Sequence, residues 1–213
     1  GLNFQPTDSR WDNFPVESHG FEVAGFGQPL VILLAALVAG TEFMDHQLRT
    51  TLISTPKRGR ALSAKLVVVA VFAALIGLIA TSAAVVLKHT ALGEYGLGLE
   101  EFTTGMAWNL AGVVLNYTLI ALIAAALTIL TRSFIVTLIV LVPMVLGLTI
   151  GLVQVIPALK FLPDLAGVQL LTSYSGMGLL DSIPGALVMT AWATVLTAED
   201  GATISPLCLV QPQ

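Results

Sequence analysis

Three long apolar runs without a charged residue restrict what this sequence can fold into. They extend over residues 66–87, 106–130 and 134–156. A helix rises about 1.5 Å per residue, so about 20 apolar residues cross a hydrocarbon core of about 30 Å. Each run therefore predicts a membrane-spanning helix.

Two further segments are apolar but less regular. Residues 21–40 have the length of a span, and we expect Glu22 to lie near the lipid headgroups, where a charge is tolerated. Residues 185–198 cover only 14 positions before Glu199 and Asp200, which is short for a crossing. We count both segments as spans, the second as a shortened one, and predict a helical bundle of about five spans.

The composition agrees with an integral membrane protein. Hydrophobic residues make up 56% of the chain and charged residues 10%, and the mean hydropathy is +0.90. The net charge is −4, and no basic face for a nucleic acid is evident. Cys208 is the single cysteine, so the chain forms no internal disulfide and its fold depends on helix packing.

The basic residues indicate an orientation. Six of the nine lie in segment 41–65 or in the turn after residue 130: Arg49, Lys57, Arg58, Arg60, Lys65 and Arg132. The positive-inside rule places this side in the cytoplasm. Residues 1–20 then form an external loop and residues 157–184 an external segment. We interpret 1–213 as one membrane domain.

Residues 41–55 are predicted to form a short amphipathic helix on the cytoplasmic side. Its polar side carries Asp45, His46, Arg49 and Thr50. Such a helix can lie on the membrane surface until Pro56 ends it, and the basic residues 57–60 then turn the chain back into the bilayer. Two interpretations stay open: a loop whose charges only fix the topology, or a coupling helix that docks on a cytoplasmic motor.

Polar residues within the spans have two possible roles as well. Asn109 and Asn116 are two helical turns apart, so they share a face, and Tyr117 adjoins it. Hydrogen bonds between packed helices are the default explanation, and contact with a transported substrate is the alternative. Pro143 predicts a kink, and Gly147 and Gly151 permit a close approach between helices.

Signatures of catalysis are absent from the sequence. It contains no HExxH, GxSxG, CxxC or P-loop motif, and the histidines His19, His46 and His89 are isolated from one another. We therefore expect neither an enzyme nor a metal site, and no ATP hydrolysis by this chain itself.

The segment that joins the first two spans carries a family resemblance. Gly40-Thr-Glu42 closes a span, Leu48-Arg-Thr-Thr-Leu52 follows, and Thr55-Pro-Lys-Arg-Gly-Arg60 with Lys65 opens the next span. This order resembles the permease subunit of type-2 ABC exporters. The following pair of spans, the external segment and a last span from Gly185 also follow the family order. The sequence departs from the six-span family pattern in two places: the first span has no counterpart, and residues 197–200 shorten the last one.

The resemblance implies an all-α membrane bundle with a cytoplasmic coupling helix and external re-entrant helices, in the plasma membrane. It assigns contact with an ABC ATPase subunit to Glu42, Asp45, His46, Arg49, Thr50, Lys57 and Arg58. The possible translocation face comprises Asn109, Asn116 and Tyr117. A second permease subunit, identical or different, is the other expected partner.

The function that this resemblance implies is the coupling of ATP hydrolysis to export. No cofactor is expected on this chain, since ATP and Mg²⁺ would bind the partner ATPase. A non-transporting membrane scaffold or anchoring subunit is the alternative. The sequence does not identify the transported substrate.

Overall fold

The computed structural model describes residues 20–44, 58–92, 103–153, 155–171 and 179–204. Its regular structure is all-helical, with no strand in these ranges, which confirms the predicted fold class. The helices are α1 (Ala24–Met44), α2 (Arg58–Leu92), α3 (Thr104–Thr131), α4 (Phe134–Pro143), α5 (Pro163–Leu171) and α6 (Ser182–Ile204). Short 3-10 helices span Phe21–Val23 and Pro157–Phe161.

Three helices in the described part of the chain are long and apolar enough to cross a membrane. They are Ala24–Thr41 within α1, Leu62–Leu92 within α2, and Thr104–Thr131, which is α3. These helices correspond to predicted apolar runs. Because such a run carries almost no charge, it can remain helical across the whole bilayer. The chain is therefore a multi-pass membrane protein.

Helix α3 forms the centre of the bundle. It packs against α1, α2, α4, α5 and α6, and its middle is rich in buried alanine. Small side chains permit this arrangement, because they let several helices approach one helix closely. The start of α1 lies beside Tyr117 and its end beside Thr128, so α1 and α3 run in the same direction.

The fourth predicted span is interrupted. Helix α4 ends at Pro143 and continues as a π-helical turn over Met144–Leu148, within which Gly147 has a φ of 102°. Proline donates no backbone hydrogen bond, and glycine accepts positive φ without strain, so the predicted kink is confirmed as a break. Residues 134–156 are consequently not one continuous helix.

The close helix approach that Gly147 and Gly151 permit is not made within the described part of the chain. A Cβ added at Gly151 would meet nothing within 4 Å, and one at Gly147 would meet only its neighbour Ile150. Other glycines bring helices together instead. A Cβ at Gly112 of α3 would lie 2.6 Å from the Leu170 carbonyl oxygen of α5.

Helix α6 is longer than the 14-residue segment 185–198 suggested. It spans 23 residues, from Ser182 to Ile204, and corresponds to about 35 Å of helix. Glu199 and Asp200 do not interrupt it, because polar side chains limit burial in lipid but do not end a helix. Near its middle, the Trp192 indole N–H donates to the Phe161 carbonyl oxygen at 2.9 Å.

Candidate functional site

Asn116 joins four elements through its side-chain amide. Its Oδ1 accepts a hydrogen bond from Gln28 Nε2 of α1 at 2.6 Å, and its Nδ2 donates to the Gly167 carbonyl oxygen of α5 at 2.9 Å. The same nitrogen lies 3.7 Å from the Met189 sulfur of α6. The residue is fully buried, so these bonds replace water that cannot reach it.

Tyr117, the next residue of α3, fills the space between the first three helices. Its hydroxyl donates to the Ala24 carbonyl oxygen at 2.6 Å. Its ring lies against Gly77 of α2, where an added Cβ would be 3.2 Å from the ring. Gly27 of α1 contacts the hydroxyl end of the same side chain. The bulky ring therefore fits because glycine faces it on two neighbouring helices.

Asn116 and Tyr117 thus have partners inside the chain, which supports the helix-packing explanation for their polar groups. Asn109 lies closer to the start of α3 and is half-buried. Of the three residues assigned to a translocation face, Asn109 is the accessible one in the single chain. The role of this face in translocation stays a prediction.

The opposite end of the bundle joins the end of α1 to the start of α2 and to the α3–α4 turn. Lys65 Nζ donates to the Ala39 carbonyl oxygen at 3.4 Å. A Cβ added at Gly40 would lie 3.3 Å from the Phe134 Cβ and 3.7 Å from a Thr128 methyl group. Gly40 therefore gives α1 its close contact with the α3–α4 turn.

The α3–α4 turn is short and held by hydroxyl groups. Arg132 caps α3 in the left-handed conformation, with a φ of 53°, and Ser133 accepts from the Val136 N–H to cap α4. Thr128 and Thr137 bond to each other across the two helices at 2.9 Å. This end of the bundle is consequently one packed unit, to which the end of α1 is attached.

Most of the predicted ATPase-contacting residues fall outside the part of the chain that the structure describes. Asp45, His46, Arg49, Thr50 and Lys57 lie in segment 45–57. Glu42 is in the last turn of α1 and Arg58 is the first residue of α2, but their side chains are not described. The coupling contacts therefore stay a prediction, and what is known is that the segment connects α1 to α2.

The predicted orientation can be tested at two exposed residues in described parts of the chain. In a Cys208→Ser background, Thr131→Cys at the α3–α4 turn should react with an impermeant maleimide only in opened vesicles or from the cytoplasmic side. Asp181→Cys, before α6, should react in intact cells. Both positions are exposed in the fold, so access depends on membrane side alone. Reaction in the reverse pattern would invert the topology.

The fold and this helix-joining polar centre define an all-helical, multi-pass membrane protein. Comparison with protein families gives a match to the family described as ABC-2 family transporter protein, over residues 3–163. No curated protein and no solved structure matches the chain significantly. Because the family match covers more than half of the sequence, the chain belongs to the ABC-2 transporter family. It is a permease component of an ABC transporter, and the resemblance on segment 40–65 is confirmed at the level of the family.

Proposed function

We propose that this permease couples ATP hydrolysis by a separate ATPase subunit to the export of a substrate across the plasma membrane. The observation that carries the proposal is the family match, which extends through the segment between α1 and α2. ABC ATPases are the general partners of permeases in this family. In this proposal ATP and Mg²⁺ bind the ATPase, and the permease contributes the pathway.

The packing around segment 45–57 supports a mechanical route. The segment is tied to the bilayer by the end of α1 and the start of α2, and the Lys65–Ala39 hydrogen bond joins those two ends. The close contact at Gly40 extends the connection to the α3–α4 turn. A push on the predicted contact residues of this segment would therefore move α1 and α2 together. These residues are Asp45, His46, Arg49 and Thr50. Glu42 lies at the point where that movement would enter α1.

The outer surface of α2 supports a pathway formed by two permeases. Large apolar side chains on this helix are exposed in the single chain, including Val67, Phe72 and Ile79, which are 61%, 62% and 66% exposed. Such a surface is covered by lipid or by another membrane helix. In the proposed transporter, a second permease faces the first, and substrate passes between them.

The proposal is tested by reconstituting the permease with the ATPase encoded beside it. Glu42→Ala should leave the complex assembled but uncouple ATP hydrolysis from substrate transport. Arg49→Glu should weaken ATPase association by more than the about 0.2–1 kcal/mol of an exposed ion pair, because an interface partly excludes water. Pull-down, ATP hydrolysis and vesicle transport are measured on the same preparations.

Thr131→Ser is the matched control, since it keeps a hydroxyl in a turn too short to reach far from the bilayer. Replacing residues 44–55 by a Gly/Ser linker should abolish ATPase binding. If the linker variant and Arg49→Glu both retained the ATPase as well as the unaltered permease does, segment 45–57 would not be the contact. Binding of the ATPase without any substrate movement in the unaltered protein would favour the scaffold alternative.

A further inference from the structure

A small cavity lies where the start of α1, the broken end of α4 and helix α5 meet. Its volume is about 120 Å³. Three polar side chains line it, Gln28, Thr149 and Asp164, and the rest of the described lining is mainly apolar, with Phe21 and Met144 among it. No basic residue is among the lining residues that the structure describes. We refer to this space as the Asp164 cavity.

The Asp164 carboxylate is only partly satisfied by the protein. Its side chain is 4% exposed, and the Thr149 hydroxyl donates to its Oδ2. Its Oδ1 is buried and has no hydrogen-bond partner in the described part of the chain. Burial raises the pKa of Asp164, and the hydrogen bonds from Thr149 and from nearby backbone N–H groups offset this increase only in part.

The nearest basic residue along the chain does not supply the missing partner. The Lys160 ammonium lies 5.4 Å from the centroid of the Phe161 ring, and no ion pair with Asp164 is among its described contacts. A buried carboxylate without a cationic partner is costly when its hydrogen bonds replace only part of the lost hydration, and Oδ1 of Asp164 has no such bond in the described part of the chain. The cavity beside it therefore favours a cationic occupant.

The shape and chemistry of the lining restrict what that occupant can be. We propose that the Asp164 cavity binds a primary alkylammonium group. Such a group presents three N–H donors, and the three polar residues of the lining, Asp164, Thr149 and Gln28, each carry a side-chain oxygen that can accept a hydrogen bond. The carbon chain next to the nitrogen matches the apolar remainder, and an aromatic face such as that of Phe21 attracts a cation.

A Ca²⁺ or Mg²⁺ ion fits the same cavity less well. Ca²⁺ and Mg²⁺ take six or more oxygen ligands, and the lining offers three polar side chains among apolar ones. The described residues also contain no group of three or more His, Cys, Asp or Glu side chains placed to hold a metal ion. Alkylammonium needs fewer acceptors and gains from the apolar contacts, so its chemistry matches the site better.

Two sources can deliver this group to the bundle end that is predicted to face outward. One is the ethanolamine headgroup of a phospholipid in the outer leaflet, and the other is a free amine, such as an exported substrate. Binding itself does not depend on transport. Only the second source rests on the proposed function, so binding is measured on the permease alone, without the ATPase.

The first experiment measures thermal unfolding and binding of the purified permease with four probes at neutral pH: n-propylammonium, propyltrimethylammonium, n-propanol and NaCl. We expect n-propylammonium to raise Tm and the other three to leave it unchanged, since they lack either the charge, the N–H donors or the apolar chain. Asp164→Asn should bind n-propylammonium at least about tenfold more weakly, because a charge-assisted hydrogen bond is lost.

Asp181→Asn is the matched control, an exposed carboxylate in the same external segment, and should bind like the unaltered protein. Equal stabilisation by all four probes, stabilisation by NaCl alone, or equal binding by Asp164→Asn would each overturn the proposal. The comparison among probes on the unaltered protein decides the question even if Asp164→Asn fails to fold.

Native mass spectrometry from mixed lipid discs separates the two sources. Selective retention of phosphatidylethanolamine over phosphatidylcholine, lost in Asp164→Asn, would identify the headgroup as the occupant. Equal retention of both lipids, together with n-propylammonium binding, would identify a free amine. Absence of n-propylammonium binding with equal lipid retention would refute the site, and none of these results depends on ATPase coupling.

Discussion

Replacing Gly185 by alanine should destabilise the permease by about 3 kcal/mol, at the upper end of the usual cost of overpacking. Gly185 lies in the first turn of α6, and a Cβ added there would collide with the Ala166 carbonyl oxygen of α5. The obstacle is backbone, so no side-chain rotation relieves it. The two helices must separate, which also disturbs the Ser182 hydroxyl bond to the Gln169 carbonyl oxygen at 2.9 Å.

Gly25→Ala in α1 is the matched control. This glycine is also near a helix start, but an added Cβ there would meet nothing within 4 Å. Alanine has the higher helix propensity, so Gly25→Ala should be neutral or stabilise by up to about 1 kcal/mol. Unfolding of both variants in mixed micelles with increasing SDS measures the difference. Equal stability of the two variants would show that the α5–α6 contact is looser than the structure has it.

The long helices were predictable from the sequence because their cause is local. An uncharged apolar run has to satisfy its own backbone hydrogen bonds in lipid, and a helix is the structure that does so within one segment. Runs 66–87 and 106–130 therefore lie inside α2 and α3. The break after Pro143 was predicted only as a kink, because hydropathy gives no information about the backbone conformation that Gly147 adopts.

The partners of the polar centre were not predictable. Asn116 and Tyr117 stood out as polar residues in an apolar run, but Gln28 is 88 residues and Gly167 is 51 residues away from Asn116 in sequence. Helical periodicity identifies the residues that share one face of a helix. It does not identify the residues of another helix that pack against that face. The same limit applies to Gly112 and Gly185, whose neighbours lie on α5.

Asp164 was missed for a different reason. It is one of two carboxylates, with Asp181, in the mainly apolar external segment 157–184, and that contrast was the available signal. Nothing in the sequence distinguishes the buried Asp164 from the exposed Asp181. The burial of Asp164 results from the break in α4, which brings Thr149 to it.

The residues assigned to ATPase contact are the opposite case: their prediction rests on the motif itself, and most of them lie outside the described part of the chain.

Asn116→Leu should lower the free energy of unfolding by about 2 kcal/mol. The substitution keeps the approximate size of the side chain but leaves the Gln28 amide nitrogen and the Gly167 carbonyl oxygen buried without a partner. Each orphaned group costs about 1–3 kcal/mol in a protein interior. The expected loss stays near the lower end because bonds between membrane helices average about 0.6 kcal/mol, as the unfolded state in the membrane also finds partners.

A double-mutant cycle with Gln28→Leu distinguishes hydrogen bonding from simple packing. If the Gln28–Asn116 bond of 2.6 Å is the cause, the double variant should lose clearly less than the sum of the two single losses, because neither side chain then leaves the other unpaired. Asn109→Leu is the control and should change stability little, since Asn109 is half-buried and outside this network. Additive losses would mean that the two side chains act independently. A transport defect in Asn109→Leu with unchanged stability would instead support the predicted position of Asn109 on the translocation face. For Asn116→Leu, a loss of transport in proportion to the loss of stability would mean that Asn116 acts by holding α1, α5 and α6 around α3.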